Sequence, residues 1–244
     1  MSKTLLGVSG LTKRFGGVAA VNGCSFQVEE GTITALIGPN GSGKTTAFNM
    51  ITGYLPADSG EVTFAGRAVK RPNPTRLYRA GLTRTFQQAR VFPGLTLLEN
   101  LTVAISQPWR TLLRRNVAAR DRERALTLLE EFGIERLATR PAGELSFGQR
   151  KLLEFATVLM GEPRLVLLDE PTAGVNPVMV EQIERHVREL HARGLTFLIV
   201  EHDMHLVMRL CDPVIVLDRG ATIKQGPPAE VQSDRAVLDA YLGT

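Results

Sequence analysis

The chain has 244 residues, 43% hydrophobic and 22% charged, with a formal net charge of +4. That is ordinary globular composition, long enough to bury one sizeable core, and it speaks against a disordered or fibrous chain. Cys24 and Cys211 are far apart and no stretch approaches 18 apolar residues, so a disulfide framework, a zinc site and a membrane-spanning helix are all unexpected. The mild positive charge suits nucleotides, acidic membrane surfaces or nucleic acid and chooses among none of them.

The first ten residues lack the long apolar core of a signal peptide, so a cytosolic protein is expected, held at a membrane only by partners. Residues 5–9 and 24–28 read as short strands. Between them, residues 12–17 read as a turn that carries Phe15. That ring is either a core residue or a flat aromatic that stacks on a base. Residues 32–37 read as another strand. Gly38, Pro39, Asn40, Gly41, Ser42, Gly43, Lys44, Thr45 and Thr46 follow it. They fit the phosphate-loop pattern G-x-x-x-x-G-K-[ST], with Gly38, Gly43, Lys44 and Thr45 at the fixed positions. The glycines let the backbone curl so that successive N–H groups point at phosphates. Lys44 adds a point charge, and the Thr45 hydroxyl can ligate Mg²⁺. A helix over residues 44–53 aims its positive end at the same anion.

Residues 61–66 read as a strand with a turn after it, so an antiparallel β-layer is expected beside the phosphate-loop core. Residues 72–75 break the pattern. Gln87 follows in a short polar stretch that is weak by itself. Residues 97–160 read as mostly helical. Ala125, Leu128, Leu129 and Phe132 recur at i, i+3, i+4 and i+7, as an amphipathic helix requires. Residues 106–116, with Pro108 and Trp109, read as a loop. Ser146 is an N-cap candidate for a helix through Met160.

Residues 165–168 form an apolar run suited to a strand buried on both faces, and it ends in Asp169 and Glu170. Two carboxylates there are costly without a task. A helix over 177–193 precedes a second buried strand, 196–200, which runs into Glu201, His202 and Asp203. The phosphate loop, the carboxylate pair and His202 each follow directly on an apolar strand. Ligands of open α/β sheets bind outside the carboxyl ends of strands, so these three clusters can meet at one ligand. A last strand over 214–218, a turn at Arg219 and Gly220, and a small amphipathic helical ending complete the chain.

With the phosphate loop, Leu145-Ser146-Phe147-Gly148-Gln149, the strand ending in Asp169-Glu170, and His202 in this order, the chain resembles the nucleotide-binding subunit of an ABC transporter. The resemblance spans essentially the whole sequence. It implies an α/β fold: a P-loop NTPase (RecA-like) core sheet with an antiparallel β-layer and an inserted helical lobe. It implies one ABC ATPase domain over 1–244. Residues 1–87 would hold the β-layer and phosphate loop, 88–161 the helical lobe, and 162–244 the rest of the core. By position, Phe15 matches the adenine-stacking aromatic, and Gly38 to Thr45 the Walker A loop. Gln87 matches the glutamine that joins core to lobe and senses Mg²⁺ and the γ-phosphate. Ser146, Gly148 and Gln149 match the signature that contacts ATP held by the opposite subunit. Asp169 matches the Walker B aspartate that supports Mg²⁺, Glu170 the general base, and His202 the switch histidine. Residues 173–176 match the loop that crosses the dimer interface. Phe147 and Asn176 depart from the common glycine and aspartate.

The implied function is ATP hydrolysis powering import of a small solute. The implied partners are a second cassette, integral membrane permeases and, indirectly, an extracytoplasmic solute-binding protein. The implied location is the cytoplasmic face of the membrane, with no nucleic acid. Within the family the chain is similar to importers of branched-chain amino acids; urea importers and lipopolysaccharide exporters look alike. Two other readings are a soluble ABC ATPase acting on DNA or ribosomes, and a P-loop kinase or GTPase. The first lacks sustained heptads here, and the second leaves the signature and His202 unexplained.

Overall fold

A computed structural model describes residues 3–85, 91–105 and 115–242. Two sheets organise it. Strands β1 (Thr4–Phe15), β2 (Val18–Glu29), β4 (Ser59–Phe64) and β5 (Arg67–Ala68) form an antiparallel sheet in the order β2-β1-β4-β5. Strands β3 (Ile33–Ile37), β6 (Leu82–Arg84), β7 (Leu165–Asp169), β8 (Thr196–Val200), β9 (Val214–Asp218) and β10 (Ala221–Gly226) form the second. Its order is β10-β9-β3-β8-β7-β6, parallel except for the β9–β10 hairpin.

The parallel strands are apolar throughout because both of their faces are covered. Alternate residues go to opposite cores. Ala35, Val166, Leu168, Phe197, Ile199, Val214 and Val216 face one hydrophobic cluster. Leu36, Leu165, Leu167, Leu198, Val200, Ile215 and Leu217 face the other. Helix α1 (Lys44–Ile51) and the antiparallel sheet cover that second face.

The first face is covered by α3 (Leu97–Ala104), α4 (Arg115–Glu131), α5 (Phe147–Leu159), α6 (Pro177–Ala192) and α7 (Met204–Leu210), with α8 (Pro228–Ser233) and α9 (Arg235–Leu242) beside them. Ala125, Leu128, Leu129 and Phe132 all lie in this core, on the stripe their spacing defines. Phe132 packs on His186 of α6, ring centroids 4.5 Å apart. The helices around α4 and α5 therefore share one continuous core with the sheet.

Several expected boundaries move. Residues 12–15 are strand, and the turn shrinks to Gly16 and Gly17. Register shifts between Val8 and Arg14 let this polar stretch remain paired without strict alternation. Asp58 steadies it, accepting from Lys13 Nζ at 2.6 Å and Arg14 N at 2.7 Å. The break at 72–75 opens a helix, α2 (Pro74–Ala80): Asn73 caps it and Pro74 sits in its first turn. The ending is two helices, parted where Asp234 accepts from Ala236 N and pairs with Lys224. Residues 106–114 of the expected loop, and Gln87, lie outside the described residues. Both cysteines are free and buried; burial raises both thiols, Cys211 to about 12.

Candidate active site

Strands β3, β8 and β7 are neighbours, so their carboxyl ends bring residues 38–46, Glu201-His202 and Asp169-Glu170 to one edge. The loop after β3 is shaped by close backbone approach. Gly38 has φ +149°, and a Cβ there would stand 2.0 Å from the Leu217 carbonyl oxygen. Gly43 has φ +100°, and its Cβ would stand 2.4 Å from the Ala20 oxygen. Neither position admits a side chain. The loop is thus wedged between β2 and the β9–β10 turn, where Gly220 N donates to Ser42 O at 3.0 Å.

Lys44 is buried. Its Nζ donates to Gly38 O at 2.8 Å, Pro39 O at 3.0 Å and Ser42 Oγ at 3.4 Å. Burial lowers its pKa, against the opposing pull of Glu170 and Asp169. Thr45 is exposed at the first turn of α1. Tyr241 of α9 also comes near this loop, and burial raises its phenol.

Glu170 follows β7 in a left-handed conformation, φ +49°, which is rare for a residue with a side chain. Its N–H is held by Val200 O at 2.9 Å. Its Oε1 lies 2.8 Å from His202 Nε2. The base candidate and the switch candidate, 32 residues apart in sequence, are in direct contact. Asp169 is buried in an ion pair with Arg84, Nη2 to Oδ2 at 2.7 Å. Its N–H donates to Thr85 Oγ1 at 3.3 Å. The Thr45 hydroxyl and the Asp169 carboxylate are hard oxygen donors, a set that fits Mg²⁺.

Phe15 is 52% exposed at the tip of the β1–β2 hairpin, so the core reading does not apply. The same hairpin reaches the phosphate loop through Ala20. Ser146, Gly148 and Gln149 stand elsewhere, at the start of α5. Ser146 and Gln149 form a capping box: Ser146 N donates to Gln149 Oε1 at 3.0 Å and Gln149 N to Ser146 Oγ at 3.3 Å. Gly148 leaves room for Met179, whose Cε lies 2.6 Å from where a Cβ would be. Phe147, 45% exposed, lays its ring edge 3.6 Å from the Cβ position of Gly174. Asn176 caps α6, accepting from Met179 N at 2.9 Å.

Two residues of this site escape a reading of the sequence. Arg84 sits in the short edge strand β6, without a periodic signal. Glu201 is buried and accepts from Thr172 N at 3.0 Å and from the Thr172 hydroxyl, pinning the segment after Pro171. A buried acid at the end of an apolar strand was its only signal. Asp203, its neighbour, is an N-cap for α7.

The family profile described as ABC transporter matches residues 21–173. The chain belongs to the ABC transporter family. Over its whole length the cassette is 38% identical to BraF of Pseudomonas aeruginosa, named as a high-affinity branched-chain amino acid transport ATP-binding protein, covering 99% of that protein. It is 39% identical to LivG of Salmonella typhimurium, also named as a high-affinity branched-chain amino acid transport ATP-binding protein, again over the whole chain and 99% of that protein. A profile described as branched-chain amino acid ATP-binding cassette transporter matches residues 225–244. Among solved structures, a nucleotide-free ATP-binding cassette superposes with a TM-score of 0.87 at 37% identity, covering 99% of this chain and 100% of that one. A cassette in its ADP conformation gives 0.87 at 37% identity, with 100% of each chain covered. The cassette is an ATPase with the P-loop NTPase fold. No described helix is long and apolar enough to cross a membrane.

Proposed function

We propose that this cassette hydrolyses ATP to drive import of branched-chain or other hydrophobic amino acids. It works in a pair of cassettes at the cytoplasmic face of membrane permeases, which receive solute from an extracytoplasmic binding protein. The Glu170–His202 contact beside the phosphate loop carries the hydrolytic part of the reading. The two named relatives and the profile over residues 225–244 support the substrate class. We read residues 1–244 as one domain, with the helical lobe over 88–161.

In this mechanism Phe15 stacks on the adenine. Residues 38–46 cradle the phosphates through backbone N–H groups and the start of α1. Lys44, already desolvated, exchanges loop carbonyls for phosphate oxygens and stabilises charge spreading over the γ-phosphoryl group. Thr45 and Asp169, with Gln87, would hold Mg²⁺; when bound, that ion neutralises phosphate charge. Glu170 orients the attacking water and takes its proton, and His202 positions Glu170 and contacts the γ-phosphate. Ser146, Gly148 and Gln149 act on the ATP held by the partner cassette. Packing of Phe147 on Gly174 and of Met179 on Gly148 ties that signature to the loop expected at the dimer interface.

Glu170→Gln tests the chemistry. The variant is expected to bind ATP with near-normal affinity and to lose turnover by about a hundredfold or more. Retained turnover removes Glu170 from the role of base. Affinity purification of the tagged chain from solubilised membranes tests the assembly, with permeases and a second cassette as the expected companions.

A further inference from the structure

Arg84 has no part in the roles above, yet it is among the most enclosed cations of the described residues. Its side chain is 6% exposed and that of Asp169 is 5% exposed. Nη2 donates to Asp169 Oδ2 at 2.7 Å. Nη1 donates to Asn49 Oδ1 at 2.6 Å and Thr52 Oγ1 at 3.2 Å. The guanidinium also lies over two rings, 5.6 Å from the centre of Phe48 and 6.0 Å from that of Tyr54. Asn49, Phe48 and Thr52 belong to the turns of α1 that follow the phosphate loop and to its C-terminal cap. Arg84 therefore joins, from behind, the helix that presents the loop and the strand that presents Asp169.

Charge gives this arrangement a consequence. A buried carboxylate without a partner attracts any cation strongly. A buried carboxylate already paired with a guanidinium presents almost no net charge, and only its second oxygen is left as a donor. Oδ1 of Asp169 has no hydrogen bond among the described residues. Such a site is a weak ligand for a lone divalent ion. It becomes a good one when a polyphosphate supplies further negative charge and oxygens.

We propose that Arg84 is a positioning residue for Asp169: a resident counter-cation that keeps divalent metal out of the site until nucleotide brings it. This inference rests on the reading of Asp169 as a Mg²⁺-supporting residue. Through its bonds to α1, the same arginine fixes where the carboxylate stands relative to the phosphate loop.

The test is Mn²⁺ titration of the purified full chain, followed by the electron paramagnetic resonance signal of free Mn²⁺, with and without a non-hydrolysable ATP analogue. Wild type should bind Mn²⁺ weakly alone and tightly with the analogue. Arg84→Gln should bind Mn²⁺ alone at least about tenfold more tightly, because a buried opposite charge has been removed. Arg84→Lys keeps the charge but loses the two-pronged geometry, and should fall between the two. A bracing role alone would lower the melting temperature without raising Mn²⁺ affinity. A folded Arg84→Gln with wild-type Mn²⁺ affinity overturns the proposal. So does Arg84→Met with wild-type Mn²⁺ affinity, should Arg84→Gln fail to fold. Asp169→Asn separates the underlying reading: it should weaken analogue-dependent Mn²⁺ binding. If it does not, Asp169 is no metal residue and both ideas fall together. If it does while Arg84→Gln changes nothing, only the role of Arg84 falls.

Discussion

Single residues in the phosphate loop are constrained by backbone rather than by side-chain partners. Gly38 and Gly41 both have positive φ, +149° and +80°, but only Gly38 has a neighbour in the way. An added methyl at Gly38 meets the Leu217 carbonyl at 2.0 Å, whereas nothing lies within 4 Å of the Cβ position at Gly41. Gly38→Ala should therefore destabilise the fold by about 3 kcal/mol or more and weaken ATP binding at least about tenfold. Gly41→Ala should cost only about 1 kcal/mol of backbone strain. Denaturant melts and a titration with labelled nucleotide compare them. Equal effects at the two positions would show that φ alone governs. Glu170 belongs to the same scale: its left-handed backbone turns its carboxylate toward His202, and no residue pattern announces that geometry.

At the scale of elements, α5 shows how a functional stretch is also an ordinary helix start. The Ser146–Gln149 box satisfies both its cap donors within the chain. Ser146→Ala should lower stability by about 1 kcal/mol, read from denaturant unfolding. ATP affinity of the monomer should stay unchanged, because Ser146 lies on α5 away from residues 38–46. A loss of monomer affinity would mean that α5 supports the loop in cis. Helices α2 and α7 are too short for hydrophobic period to reveal. Their caps, Asn73 and Asp203, are visible only once the backbone bonds they accept are known.

At the scale of the molecule, the helices around α4 lean on the sheet domain through Phe132 and His186. His186 is buried, which lowers its pKa below the ordinary value near 6.5; Glu189, 3.6 Å away, opposes this. The unfolded chain therefore takes up the proton first as pH falls. Stability contributed by neutral His186 is full above pH 6.5 and declines below it, until the folded form is protonated too. Unfolding free energy should drop between about pH 7 and pH 5, and His186→Phe should flatten that decline. An equally steep decline in the variant would assign it to other groups.

The sequence by itself determined the phosphate loop, the two buried strands that end in carboxylates or histidine, and the amphipathic helix of Ala125 to Phe132. Each is a local pattern, because backbone curvature, double-faced burial and helical period all act over a few residues. It also carried the order of motifs that the family relationship rests on. Tertiary structure alone decided that Arg84 pairs with Asp169 across 85 residues, that Glu201 pins Thr172, and that Phe147 rests on Gly174. It alone removed Phe15 from the core. These depend on which strands become neighbours and on what each buried charge then finds beside it. Strand order is set by packing over the whole chain, so no short window of residues contains it.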